Sequence, residues 1–167
     1  MGRRIRRDVR RPVSCEVSCV TDSTAIVWFR RDLRLHDHPA LMAAVTAHER
    51  VIPLYVLDPR LLRGRFASSN RAWFLVGSLR VLAADLAAIG SALVVRVGDP
   101  TVVVPEVALA ARALDVYVSR DHAPYGRARD RSVAQALAAT PPGARLHARM
   151  GVLVHEPEAI EIGRAHV

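Results

Sequence analysis

The sequence predicts a doubly wound α/β domain, a Rossmann-like parallel sheet of five strands with helices on both faces. Short apolar runs rich in β-branched residues alternate with helical stretches, and each connection between strands is too long for a hairpin. A chain of 167 residues is long enough for one domain of ordinary size, and its 51% hydrophobic content excludes a disordered chain.

Five segments have the composition of strands in such a sheet. They are Thr24–Phe29, Val51–Leu57, Ala92–Val97, Asp115–Ser119 and the short Arg145–Arg149. Pro53 lies inside the second segment and cannot donate a hydrogen bond to a neighbouring strand. We therefore expect this strand to lie at an edge of the sheet or to begin irregularly.

Four helices are expected between these strands. They are Pro39–Ala47, Arg71–Ile89, a helix established only from Pro105 to about Ala113, and Arg127–Ala139. The second carries an apolar stripe at helical spacing, which predicts a core-facing side; its members are Leu75, Leu79, Leu82, Leu86 and Ile89. Gly90 is placed to end this helix, and both tryptophans, Trp28 and Trp73, are expected in the core.

Residues 1–22 form a basic segment with six arginines and three acidic residues. We expect a disordered leader here, followed by one structured domain over residues 23–160. The alternative is an arm that binds nucleic acid through phosphate contacts, although no aromatic residues alternate with the arginines to stack on bases. Cys15 and Cys19 have no second pair of ligands beside them, so no structural metal is expected.

Cysteine content and apolar run length favour a cytoplasmic protein with no membrane association. The chain has two cysteines, which cannot build a disulfide framework. Its longest apolar runs have about five to seven residues, far short of the roughly 20 that cross a bilayer as a helix.

Polar side chains follow each of the first four predicted strands. They are Arg30–Arg34, Asp58, Gly98–Asp99 and Arg120–His122. Because ligands of open parallel sheets bind beyond the carboxyl ends of the strands, we expect a pocket of mixed charge there. Arg31 and Asp32 are candidates for an ion pair that fixes the first loop.

Other site motifs find little support. The sequence has no G-x-G-x-x-G and no P-loop motif, so a classical nucleotide phosphate site is not expected. No serine lies in a G-x-S-x-G elbow, which leaves a Ser-His-Asp triad without its nucleophile. The run His36–His38 favours a solvated loop over a metal site, because adjacent side chains rarely point at one ion.

Four motifs, in this order, resemble the DNA photolyase and cryptochrome family. They are IVWFRRDLRLHDHPAL at 26–41, LYVLDPRLL at 54–62, VRVGDP at 95–100 and YVSRDHAPYGRARD at 117–130. The resemblance covers roughly Thr24–Ile160 and implies the amino-terminal α/β antenna domain. It also implies that the helical half, which binds FAD, is missing from this chain. The last seven residues, EIGRAHV at 161–167, match a reading frame of a sequencing adapter, so we expect a non-native tail.

The resemblance implies a deoxyribodipyrimidine photolyase, a carbon–carbon lyase that repairs UV-damaged DNA with light. The pattern D-x-x-P-Y-G-R-x-R-D indicates a deazaflavin antenna rather than a folate. Asp121 is then expected to bind the ring edge, Arg31 and Arg71 to face its hydroxyl or polar edge, and Tyr55 to pack on its face. Ala123 stands where some deazaflavin binders have an acid, so one polar contact is lost.

On this interpretation the chain is a monomer that neither binds FAD tightly nor repairs DNA by itself. Its partners are the missing FAD domain and, through the complete protein, UV-damaged DNA. A cryptochrome blue-light photoreceptor, which has the same domain, is the first alternative. A nucleotide-binding domain of the adenine hydrolase type is the second, although it needs an SGG-type phosphate loop where FRRDLR stands.

Overall fold

The computed structural model describes residues 23–63 and 67–151. The strands are β1 (Thr24–Phe29), β2 (Arg50–Leu57), β3 (Val94–Val97), β4 (Asp115–Ser119) and β5 (Arg145–Arg149). The helices are α1 (Pro39–Ala47), α2 (Pro59–Arg63), α3 (Ser69–Ala88), α4 (Pro100–Ala111) and α5 (Pro124–Ala139). The predictions for residues 1–22, for Cys15 and Cys19, and for residues 161–167 lie outside the described residues.

All five strands pair in parallel, in the order β3-β2-β1-β4-β5. Helices cover both faces, because one apolar cluster joins the sheet to α1 and α3 and a second joins it to α4 and α5. The predicted doubly wound fold is confirmed. The chain leaves β1 toward β2 and β3 and later returns to place β4 on the other side of β1, which makes the β1–β4 boundary the topological switch point.

Successive side chains of β1 belong alternately to the two apolar clusters. Ile26 and Trp28 point toward α4 and α5, whereas Val27 and Phe29 point toward α1 and α3, and all four are at most 2% exposed. This is the period-2 pattern of a strand covered on both faces. The predicted core position of Trp28 is confirmed.

The prediction for Trp73 is wrong, because this side chain is 80% exposed. Leu82 and Leu86 carry the fully buried part of the α3 stripe. Trp73 lies nine residues before Leu82, which is two and a half helical turns and therefore the opposite side of the helix. Ile89, expected in the stripe, is the C-cap residue and is 70% exposed. Gly90 follows with φ +78°, as expected at a helix end.

Two helices begin earlier than expected because each starts on a proline. Asp99 caps α4 by accepting the Thr101 N–H at 3.0 Å, so the helix starts at Pro100 and Pro105 lies inside it. Helix α5 starts at Pro124, three residues before the expected Arg127. The short helix α2 was not predicted.

Strand β2 lies inside the sheet, between β1 and β3, so the expected edge position is wrong. Pairing of β2 with β3 begins at Leu54 opposite Val94, and Pro53 comes one residue before it. The proline therefore precedes the ladder with β3. The edge strand on this side of the sheet is β3, which begins two residues later than expected. Within residues 23–63 and 67–151, no helix is long and apolar enough to span a membrane.

Candidate functional site

Three adjoining cavities open beyond the carboxyl ends of β1, β2 and β4. A cavity of about 130 Å³ lies at the switch point between the loops after β1 and β4. A groove of about 1150 Å³ runs over the ends of β1 and β2 to the first turns of α3. A third space of about 140 Å³, the middle cavity, lies between them and is lined in part by α5. The pocket expected from the loop sequences is therefore present in the structure.

The four predicted site residues border this connected space. Arg31 lines all three cavities. Asp121 lines the switch-point cavity and the middle cavity, and Tyr55 lines the middle cavity and the groove. Arg71 lines the groove only. The structure thus brings Arg31, Tyr55 and Asp121 around one cavity and places Arg71 farther along the groove.

Asp32 fixes the loop after β1 by contacts different from the expected pair with Arg31. The carboxylate accepts a hydrogen bond from the Ser119 hydroxyl, and its Oδ2 lies 2.8 Å from His38 Nε2. Burial by itself would raise the pKa of Asp32, but the contacts with His38 and Ser119 outweigh it and lower the pKa to about 2. An ionised carboxylate therefore ties the end of β1 to the end of β4.

His38 is part of the fold rather than of a solvated loop. Its Nδ1 accepts the Leu41 N–H at 3.1 Å, which caps α1 and leaves the remaining ring proton on Nε2, toward Asp32. The ring is 1% exposed and packs edge-on against Phe29. His36 and Asp37 are exposed, as expected for a solvated loop. No group of three metal-ligating side chains occurs among the described residues.

Asp121 is held at the entrance of α5. Its Oδ1 accepts the Ala123 N–H at 3.0 Å, and its Oδ2 lies 3.4 Å from the Arg129 guanidinium. Burial would raise the pKa of Asp121, but the Ala123 N–H and the nearby arginines, Arg31 among them, lower it. The ion pair with Arg129 arises because the first turns of α5 bring residue 129 back over the carboxylate.

Gly126 makes room for this carboxylate. A Cβ at position 126 would lie 2.1 Å from Asp121 Cγ and Oδ2, far inside van der Waals contact. The glycine of the PYG run is therefore required by the close approach of Asp121 to α5 rather than by its own backbone conformation.

Sequence reasoning placed Arg30 in the loop after β1 but missed its charged neighbours on α5, Arg129 and Asp130. Arg30 forms an ion pair with Asp130 and donates to the Ser119 carbonyl. Arg129 lies 3.2 Å from Asp130 as well as close to Asp121. Burial and the positive charge of Arg129 lower the pKa of Arg30, and the nearby carboxylates oppose this. The i, i+4 spacing of Tyr125 and Arg129 was the available signal, since it places both on one side of α5.

An aromatic wall completes the site. Tyr55 is 9% exposed, and burial raises the pKa of its hydroxyl. Tyr125 is half exposed and donates to Asp58 Oδ2 at 3.3 Å. Asp58 is buried and is also bonded by the Arg60 side chain at 3.2 Å. Two tyrosines from β2 and α5 therefore border the middle cavity, which is also lined by three arginines and two aspartates.

The comparison with known sequences decides the family. The sequence model described as DNA photolyase matches residues 25–166. The chain belongs to the DNA photolyase family. It is 47% identical over 112 residues to the deoxyribodipyrimidine photo-lyase of Thermus thermophilus, covering 67% of this chain and 26% of that protein. It is 43% identical over 119 residues to the cryptochrome DASH of Natronomonas pharaonis, covering 68% of this chain and 25% of that protein.

Solved structures of the family have the same fold. The class III photolyase of Agrobacterium tumefaciens superposes with a TM-score of 0.74 at 31% identity, over 89% of this chain and 30% of that one. The photolyase of Sulfolobus tokodaii superposes with a TM-score of 0.77 at 29% identity, over 83% of this chain and 32% of that one. The chain therefore spans about a quarter to a third of the length of these photolyases and cryptochromes. The adenine hydrolase alternative is not favoured.

Proposed function

We propose that this chain is the antenna-chromophore-binding domain of a deoxyribodipyrimidine photolyase. One observation carries the proposal: Arg31, Tyr55 and Asp121, from the ends of three strands, border a single cavity. In the whole protein, reduced FAD bound by a helical domain would split pyrimidine dimers in UV-damaged DNA. The part of the chain described here would supply the light-collecting site.

The groove suits a flat heterocycle. Its volume of about 1150 Å³ slightly exceeds that of typical ligand pockets, which measure about 300–1000 Å³, so a large planar ligand has room. Apolar side chains contribute much of its wall, among them Leu33, Leu57 and Leu75, and Tyr55 lies where the groove joins the middle cavity. Aromatic and aliphatic walls exclude water from a ring face, which is the role we assign to Tyr55.

The charges at the site favour a deazaflavin over a folate. Arg31 and Arg71 line the groove, and guanidinium groups beside a phenol-like hydroxyl stabilise its visible-absorbing anion. Asp121 is ionised at neutral pH, since its pKa is lowered, so it accepts hydrogen bonds and cannot donate them. A ring edge with an N–H donor matches it. When bound, the chromophore would absorb blue or near-UV light and pass the energy to FAD by dipole coupling.

An absorption titration of the purified chain tests this assignment. A deazaflavin riboside, a methenyl folate and FAD are added in separate experiments. FAD is included because the Sulfolobus tokodaii structure contains two FAD molecules and is described as implying a novel light-harvesting cofactor. We expect a red-shifted deazaflavin band with saturable binding, lost in Asp121→Ala. Stoichiometric binding of the folate or FAD, with none of the deazaflavin, would overturn the assignment.

A cryptochrome photoreceptor is the second candidate, because relatives named as such match the same part of the chain. A blue-light photoreceptor of Arabidopsis thaliana, PHR2, is 41% identical over 118 residues. The two functions are separated by the rest of the protein. A full-length gene that restores survival of UV-treated cells only in light indicates a photolyase, and failure to do so indicates a photoreceptor.

A further inference from the structure

Trp28 lies beside the proposed chromophore site and under two guanidinium groups. Its ring lines the middle cavity together with Tyr55 and Tyr125. The Arg30 guanidinium carbon lies 5.0 Å from the Trp28 ring centroid, and that of Arg129 lies 5.3 Å from it. Both distances are within the range of cation–π contacts. Arginine stays charged in proteins, and here Arg30 contacts Asp130 while Arg129 contacts both Asp121 and Asp130.

Three features of Trp28 oppose the loss of an electron from its indole. The two adjacent cations raise the energy of an indole radical cation by direct repulsion. The side chain is 2% exposed, so water does not solvate a new charge on it. Its Nε1 is buried with no hydrogen-bond partner among the described residues, so no acceptor is in place for the proton that an oxidised indole releases.

An antenna needs this protection because an excited flavin-type ring is a strong oxidant. One electron passing from a neighbouring indole to the excited ring, followed by its return, dissipates the light energy with no net chemical change. We propose that Arg30 and Arg129 suppress this electron transfer from Trp28 and so preserve the excited state of a bound flavin or deazaflavin. The inference rests on the proposed function, since it requires a light-absorbing ligand in the adjacent cavity.

The other aromatic residues provide contrasts within the same chain. Trp73 is 80% exposed, so solvent reaches its ring. Tyr125 also lies near Arg129, at 5.9 Å, but its hydroxyl has a carboxylate acceptor in Asp58. Tyr125 is also half exposed, so it lacks two of the three features of Trp28. It is replaced by Phe throughout the measurements below, and Trp28→Phe in that background identifies the part of the signal that comes from Trp28 rather than from Tyr55.

The first experiment measures the fluorescence lifetime of riboflavin bound to the chain. Arg129→Met keeps much of the side-chain volume but removes the charge, and should shorten the lifetime by about threefold or more. Adding Trp28→Phe should restore it. Arg131→Met, an exposed arginine on the same helix, is the matched control and should change nothing. The decay of bound riboflavin is resolved as a component separate from that of free riboflavin, so weaker binding changes its amplitude and not its lifetime. The proposal is wrong if Trp28→Phe alone lengthens the lifetime severalfold, or if Arg129→Met leaves it unchanged.

A second experiment needs no bound ligand and separates failure of the inference from failure of the proposed function. Free riboflavin is excited by a laser flash in the presence of the Trp73→Phe variant, in which Trp28 is the remaining tryptophan. We expect little indole radical, and at least threefold more when Arg129→Met is added, with no increase for Arg131→Met. Equal yields in the three proteins refute the inference. If this increase occurs but neither riboflavin nor deazaflavin binds, the protection of Trp28 is real and the antenna function is wrong.

Discussion

The two ends of the parallel sheet both carry a buried or half-buried aspartate with ionisable neighbours, but in the part of the chain that the structure describes the large groove lies at the carboxyl ends. At the amino ends, Asp115 Oδ1 lies 2.6 Å from His147 Nε2 and Asp115 Oδ2 lies 3.8 Å from His48 Nε2. Tyr117 stacks on His147 at 4.9 Å. A cavity beside the ends of α4 and α5 there measures about 20 Å³, room for one water. At the carboxyl ends the groove reaches about 1150 Å³.

Connectivity explains the difference. After β1 the chain crosses to α1 on one face of the sheet, and after β4 it crosses to α5 on the other face. The two loops therefore part at the carboxyl ends and leave a crevice between them. A cluster of polar side chains does not by itself indicate a binding site. Asp115 and its two histidines form such a cluster at the end of the sheet where the cavity measures about 20 Å³. What distinguishes the carboxyl end is a carboxylate that borders open volume.

The largest expected effect comes from displacing the Asp121 carboxylate, which borders that volume. Gly126→Ala puts a Cβ 2.1 Å from the Asp121 carboxylate, which must then move away from Ala123 N and from Arg129. We expect deazaflavin affinity to fall by at least about tenfold and the free energy of unfolding to fall by about 1–3 kcal/mol. Titration and urea denaturation measure the two effects.

A matched glycine controls for the substitution itself. Gly77 lies within α3, and a Cβ there meets no atom within 4 Å. Gly77→Ala should leave ligand affinity unchanged and raise the free energy of unfolding by about 0.5–1 kcal/mol. Equal behaviour of the two variants would show that position 126 has no special relation to Asp121.

Replacing the aspartate at each end of the sheet by asparagine, one at a time, tests which end holds the binding site. Asp121→Asn removes the acceptor charge at the site and should weaken deazaflavin binding by about tenfold, the value of one charge-assisted hydrogen bond. Asp115→Asn should reduce stability by about 1 kcal/mol, because His147 loses a charged partner, while binding stays the same. A loss of binding in Asp115→Asn would contradict the assignment of the site to the carboxyl end.

Stability in acid depends on the carboxylate that joins β1 to β4. The pKa of Asp32 is about 2 in the folded chain, below its ordinary 3.8, so the folded state binds this proton more weakly than the unfolded state. Its contribution, about 2 kcal/mol, is present above pH 4 and is lost as the pH falls toward 2. Urea denaturation of the wild type and Asp32→Asn at several pH values measures it. Their difference should shrink below pH 4, and a constant difference would refute this role.

The site was partly predictable because its residues follow recognisable strands. Arg31, Tyr55 and Asp121 were placed at one rim from the positions of β1, β2 and β4, and they line one cavity. The roles of these side chains toward a chromophore remain proposals. Arg129 and Asp130, and their contacts with Arg30, were missed because these contacts depend on where α5 begins and on how closely it approaches β1.

The sequence by itself determined the α/β class, the strands and the polar loops after them, because apolar periodicity is a local property of the chain. Tertiary structure decided which partners meet. Asp121 contacts Arg129, eight residues away in sequence, since α5 turns back over it. Trp28 became a core residue and Trp73 an exposed one, because burial depends on which side of each element another element covers.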